Sequence, residues 1–235
     1  MQPVHDVYAS PTRSLALSRY MSKVYMWMTV GIMLTGFTAW YVSSDMELIQ
    51  MILMNKFVFY SLLIGQIGLV IGLSAGINRI NAMTATLLFL LYALLNGTTL
   101  SIIALVYTSE SIQSAFFTSG AAFAGLSAFG YFTKKDLGPV GNFCAMGLFG
   151  LIGYSILAIF FPTMMDSTAG KVYGLVGILV FAGLTAYDTQ KIKNMAPIGH
   201  QDEQLKKGAI MGALQLYLDF VNLFLFVLRM SGRRK

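Results

Sequence analysis

Polar positions interrupt this chain rarely and at wide intervals. Between them lie seven apolar runs: Val24 to Val42, Phe57 to Ile77, Ala82 to Tyr107, Ile112 to Phe132, Val140 to Phe161, Val172 to Gln190 and Gly208 to Leu228. Crossing the hydrocarbon layer of a bilayer takes about 20 apolar residues in a helix. A barrel strand would instead alternate apolar and polar positions over about ten residues, and these runs are continuous. Backbone groups in lipid must be satisfied within their own segment, so continuous runs are read as helices. The pattern therefore predicts an all-α integral membrane protein with seven transmembrane helices. Residues 1–23 form an N-terminal tail, 24–228 the seven-helix domain and 229–235 a basic C-terminal tail, with no stretch left for a soluble domain.

Composition agrees: 56% of the 235 residues are hydrophobic and 11% charged, where a soluble domain carries roughly 25% charged residues. The net charge of +6 would suggest a nucleic-acid partner in a soluble protein. Here the basic residues lie at span ends, so they are read as topology signals and no nucleic acid is expected. One set of short connections holds Arg13, Arg19, Lys23, Arg79, Lys134, Lys135, Lys191, Lys193, Lys206 and Lys207, whereas the opposite set holds only Lys56 and Lys171. The bias puts the N-terminus in the cytosol. The tail RMSGRRK runs against it, because seven full crossings place Arg229, Arg233, Arg234 and Lys235 outside.

Trp27 near one end of the first span, with Trp40 and Tyr41 near the other, fits interfacial anchoring. Glycines recur at packing spacing, as in Gly68, Gly72 and Gly76 or Gly147, Gly150 and Gly153, which predicts close helix approach. The first 23 residues lack the apolar centre of a cleavable leader, so the first span is expected to drive insertion. Cys144 is the single cysteine and is read as a small buried hydrophobe. His5 and His200 have no companions at ligand spacing and are assigned to neither metal nor catalysis. No span contains a lysine for a Schiff base, which argues against a retinal protein.

Eight of the ten acidic residues fall in predicted loops or tails; only Asp188 and Asp219 lie within spans. A carboxylate at a helix centre costs about 2.5 to 3.5 kcal/mol on the insertion scale, so each must face protein or water. Helical steps put Gly174, Gly177, Phe181, Thr185 and Asp188 on one face of the sixth span. They put Gly208, Gly212, Gln215, Asp219 and Asn222 on one face of the seventh. At 1.5 Å per residue, Asp188 sits about 10 Å from a sixth-helix end near Met195, and Asp219 about 16 Å from a seventh-helix start near Gly208. The levels differ by about one turn, within reach of a hydrogen bond. The plainer alternative for Asp188 is a local ion pair with Lys191, three residues on; for Asp219 it is a protonated carboxyl bonded to a neighbouring helix.

GLTAYDTQKIK at Gly183 to Lys193, followed by LYLDFVNLFLFVLR at Leu216 to Arg229, resembles the paired signature of the transmembrane Bax inhibitor motif family in a bacterial-type member. The resemblance covers the whole chain. It implies a central seventh helix surrounded by the other six, and a location in the bacterial inner membrane. It also implies that Asp188 and Asp219 form a proton-sharing pair controlling a pH-sensitive calcium leak. An arginine at the cytosolic end of the second helix would latch the pair, and Arg79 in GINRINAM occupies the matching place. The sixth-to-seventh loop, APIGHQDEQLKK, is long for such a cover.

The chemistry of the residues points the same way. Two carboxylates in a low-dielectric site cannot both ionise cheaply, so they titrate as a coupled unit around a shared proton. Loss of that proton leaves negative charge for Arg79 or a cation to balance. Calcium is a hard ion that takes oxygen ligands, and Asp188 and Asp219 supplemented by Gln215, Asn222, carbonyls or water suit it as a permeant ion. No resident cofactor and no enzymatic activity are expected. The partners are calcium ions, protons, the lipid bilayer and, in the rival reading, membrane proteins such as a protease or a cell-death component that the chain would regulate. Intramembrane aspartyl proteases also pair two aspartates, but they carry GxGD and PAL sequences, and here the second aspartate sits in YLDF.

Overall fold

The computed structural model describes residues 11–161, 163, 168–199, 201–233 and 235. The beginning of the predicted N-terminal tail with His5 and Asp6, together with Asp166, His200 and Arg234, lies outside the described residues. The chain is helical: α1 (Pro11–Ser44), α2 (Met46–Met54), α3 (Lys56–Gly76), α4 (Ala82–Leu100), α5 (Ile103–Val106), α6 (Ser109–Phe132), α7 (Gly138–Phe160), α8 (Thr168–Asn194) and α9 (Asp202–Ser231). No strand occurs among the described residues.

Among the described residues six stretches are long and apolar enough to cross a membrane: 56–76, 82–106, 109–132, 138–160, 168–194 and 202–231. The first predicted span lies in α1, which at 34 residues is long enough but is diluted by Tyr25, Trp27, Thr29, Thr35, Thr38, Trp40 and Tyr41. It is therefore not among the six. Burial differs sharply between helices: 67% of an 18-residue apolar window of α9 is buried, against 44% for α8 and 11% for α3.

The chain forms two compact units. One comprises residues 1–102 and 192–214, the other 103–191 and 215–235, so α8 and α9 each contribute to both.

In the first unit, α1 and α4 touch through backbone. Thr35 Oγ1 donates to the Ala93 carbonyl at 2.9 Å, and a Cβ on Gly97 would stand 2.5 Å from the Thr35 carbonyl oxygen. The segment between the first two predicted spans, read from sequence as a loop, contains α2. Asp45 caps it by accepting from the Glu47 and Leu48 amides, and Asn55 both ends α2 and caps α3. Ile49 and Ile52 pack with Val42 against Leu48, Phe59, Leu62 and Ile102, while Met46, Glu47 and Gln50 remain exposed. Nine residues are too few to span lipid, which is why a search for long runs passes over this helix.

The start of α9 is tied to the turn after α3. Glu203 accepts from the Ala82 amide at 2.5 Å, capping α4 from a distant segment, and Lys207 Nζ donates to the Ile80 carbonyl at 2.9 Å.

The predicted glycine packing holds only in part. Nothing stands within 4 Å of a Cβ built on Gly68, Gly72, Gly76, Gly150 or Gly153, whereas one on Gly147 would meet Val180. Lipid tails are as apolar as leucine, so small-residue spacing does not tell a helix-facing glycine from a lipid-facing one.

The third predicted run breaks around Ser101 into α4, which belongs to the first unit, and α5, which belongs to the second. The C-terminal tail folds against the α5–α6 connection: the Lys235 amide donates to Val106, the Thr108 amide to the Arg233 carbonyl, the Arg233 amide to Ser111 Oγ at 2.9 Å and Lys235 Nζ to the Ala104 carbonyl at 2.6 Å.

Candidate functional site

The face predicted for α8 is the face that meets α9. Gly174 lies against Met230, Gly177 against Phe226, and Phe181 stacks on Phe226 at 5.7 Å. Further along the same seam stand Thr185, wholly buried, and Asp188, 6% exposed. Small residues bring the two helices close enough for short side chains to touch. A second face of α8 is fixed equally tightly. Gly130 of α6 lets its backbone rest on the Ala186 carbonyl, and a Cβ on Gly141 of α7 would stand 2.5 Å from the Tyr187 ring. The two residues before Asp188 are thus held against α6 and α7.

Asp188 is hydrogen-bonded to Gln215 and to Asp219. Asp219 is 4% exposed, and its Oδ2 is buried without a hydrogen-bond partner among the described residues. Two carboxyls can hydrogen-bond to one another only when a proton lies between them. An unmet buried carboxylate oxygen is costly, and a further donor or a cation would satisfy it. Lys191, the local alternative for Asp188, stands over the Tyr187 ring, 5.8 Å from its centre.

Asn222, one turn beyond Asp219 on α9, is half-buried. Its Nδ2 donates to the Leu218 carbonyl at 2.8 Å, and the residue lines a cavity of about 280 Å3. Arg79 belongs to the first unit, where it is exposed in the turn between α3 and α4. Asp188, Asp219 and Gln215 are brought together, and Asn222 stands one turn beyond Asp219 along α9. Among the described residues no group of three or more His, Cys, Asp or Glu side chains converges. A calcium ion takes 6–8 oxygens, so here it would draw on two carboxylates, the Gln215 amide, carbonyls and water.

Sequence reasoning passed over three supporting residues. Gln190, two positions after Asp188, accepts from the Leu137 amide at 2.9 Å and donates to the Lys135 carbonyl at 2.8 Å, fastening the α6–α7 connection to α8. Thr189 and Ser127 share a hydrogen bond at 2.8 Å. All three are buried. The available signal was the uncharged polar pair TQ immediately after the aspartate, which a reading centred on charge does not weigh.

The sequence profile described as "Inhibitor of apoptosis-promoting Bax1" matches residues 17–235. The chain is 44% identical over 221 residues, 93% of each protein, to "Inner membrane protein YbhL" of Escherichia coli strain K12. It is 37% identical over 231 residues, 98% of each, to an uncharacterized protein of Borreliella burgdorferi. It is 41% identical over 219 residues, 93% of this chain and 91% of the relative, to the uncharacterized protein RP147 of Rickettsia prowazekii.

Proposed function

Because the chain belongs to the family described as inhibitors of apoptosis-promoting Bax1, we propose that it is a calcium leak of a bacterial inner membrane, gated by the proton shared between Asp188 and Asp219. The observation that carries the reading is the buried hydrogen-bonded carboxyl pair with one oxygen left unmet. With its proton, the site carries one negative charge and binds calcium weakly. Without it, two adjacent carboxylates attract a divalent ion, or the guanidinium of Arg79 acting as the protein's own counter-charge. Gln215 orients Asp188, and Asn222 supplies a further amide oxygen along the route.

Seven crossings with the N-terminus in the cytosol complete the proposal. Support for α1 as the additional crossing is its exposed apolar face, with Met33, Phe37 and Trp40 each more than 60% exposed, as suits contact with lipid. Support for a full crossing by α9 comes from its two ends: its start holds the beginning of α4, and the chain after it bonds to the segment around α5. The high burial of α9 agrees with a central seventh helix.

Purified protein in liposomes loaded with a calcium-sensitive dye tests this. Influx above protein-free vesicles, reduced about tenfold or more in Asp188→Asn and Asp219→Asn, is expected. Conduction without any partner also separates a channel from a regulator acting through other proteins. No influx from folded wild-type protein would overturn the reading.

A further inference from the structure

Two buried side-chain oxygens stand without a hydrogen-bond partner among the described residues: Asp219 Oδ2 of the carboxyl pair, and Ser119 Oγ of α6. A hydroxyl inside a helix has an easy partner in the carbonyl four residues back. Thr185 takes it at 2.7 Å and Thr189 at 2.8 Å, while Thr35 bonds to Ala93, Ser101 to Thr98 and Ser127 to Thr189. Ser119 is as buried as these, at 0% exposure, yet its hydroxyl is left over. A polar group kept unmet in a packed interior calls for a role beyond packing.

The helices bring these two oxygens to one level. Ala115, Ser119, Phe123 and Ser127 form a buried stripe along α6. Phe116 and Phe123 both meet the Phe220 ring of α9 edge to face at 5.7 Å, and Phe116 also meets Phe224 at 6.4 Å. Ser119 lies between those two phenylalanines, three positions from one and four from the other, and so shares their face. With a ring one turn to either side reaching Phe220, the short side chain of Ser119 is level with Phe220, the chain neighbour of Asp219. Farther along the stripe Ser127 reaches Thr189, the residue after Asp188. One face of α6 thus meets α9 next to Asp219 and α8 next to Asp188.

We propose that Ser119 is a ligand of the site: its Oγ joins Asp219 Oδ2 in holding the cation that the carboxyl pair attracts. The proposal rests on the reading of Asp188 and Asp219 as the ion station. Calcium takes neutral oxygens alongside carboxylates, and a hydroxyl oxygen has lone pairs to offer. Gln215 stands on the Asp188 side of the pair; Ser119 serves the Asp219 side from a third helix. A cation seated there joins α6, α8 and α9 in one coordination shell.

Equilibrium calcium binding to the purified full-length chain at alkaline pH tests this. Ser119→Ala removes the oxygen with little change in volume. Its calcium affinity is expected to fall about tenfold, while thermal stability in calcium-free buffer stays level or rises, because an unmet hydroxyl is gone. A Ser119→Ala chain less stable without calcium reveals a structural bond instead and overturns the assignment. Ser119→Cys in a Cys144→Ala background offers a soft sulfur. Affinity for cadmium, an ion near calcium in size that prefers sulfur, should rise about tenfold as calcium affinity falls. That exchange of preference can be read even where Ser119→Ala fails to fold, and a residue that only packs would not produce it. If Asp219→Asn loses calcium binding while Ser119→Ala binds as the wild type and Ser119→Cys gains nothing for cadmium, Ser119 is no ligand and the pair stands. If Asp188→Asn and Asp219→Asn both bind calcium as the wild type does, the pair is not the ion station and the role of Ser119 falls with it.

Discussion

Glycine recurs along both α3 and α8, yet the two helices use it oppositely. Around Gly65, Gly68, Gly72 and Gly76 of α3 there is open space, while Gly174, Gly177 and Gly183 of α8 each meet a side chain at a separation a Cβ would fill. Leu73 is the buried residue of α3, whereas α8 buries Thr185, Asp188, Thr189 and Gln190. In lipid an apolar helix gains little by leaving the bilayer for a protein partner, so close packing concentrates where polar groups must be kept from the hydrocarbon. The glycines that matter are those that let helices close around the carboxyl pair.

This contrast is open to attack, beginning with the largest expected effect. Gly130→Val forces two branches into the Ala186 backbone, and backbone yields less readily than a side chain. A loss beyond the usual 1–3 kcal/mol of overpacking is expected, read as a collapse of thermal stability in detergent. Gly141→Leu, against the Tyr187 ring, should behave alike but more mildly. Gln190→Ala removes both bonds to the α6–α7 connection, leaving the buried Leu137 amide unpaired. It should cost about 1–3 kcal/mol and raise hydrogen exchange in that connection. Gly72→Ala in α3 should be neutral or stabilise by up to about 1 kcal/mol through helix propensity. A Gly72→Ala loss as large as that of Gly130→Val would erase the distinction between the helices.

The pair adds a prediction with a defined sign. On the proposed function calcium displaces the shared proton, so affinity should rise with pH, by up to about tenfold per unit for each proton released. Calcium titrations of purified protein at several pH values would show it. On the same proposal Arg79→Gln, by removing the proposed counter-charge, should strengthen binding most at the alkaline end.

How much of this was legible in the sequence depended on the kind of residue. Asp188 and Asp219 stood out because charge in an apolar run is rare, and the step from Gly174 through Gly177 and Phe181 to Asp188 correctly identified the face turned to α9. The α3 glycines misled because lipid and protein look alike to hydropathy. Short α2 was hidden because its nine residues fall below the span length, and its caps, Asp45 and Asn55, are ordinary loop residues until their hydrogen bonds are seen. Gln190 and Ser127 act through partners 53 and 62 positions away, which no local pattern encodes.

Control of calcium passage by the shared proton is the centre of the proposed function. The most direct measurement is calcium influx into proteoliposomes between about pH 5 and 8, compared for the wild type, Asp188→Asn and Asp219→Asn. Influx that changes steeply with pH in the wild type, and that is both low and flat in each variant, is expected. Wild-type influx and an unaltered pH response in both variants would contradict it.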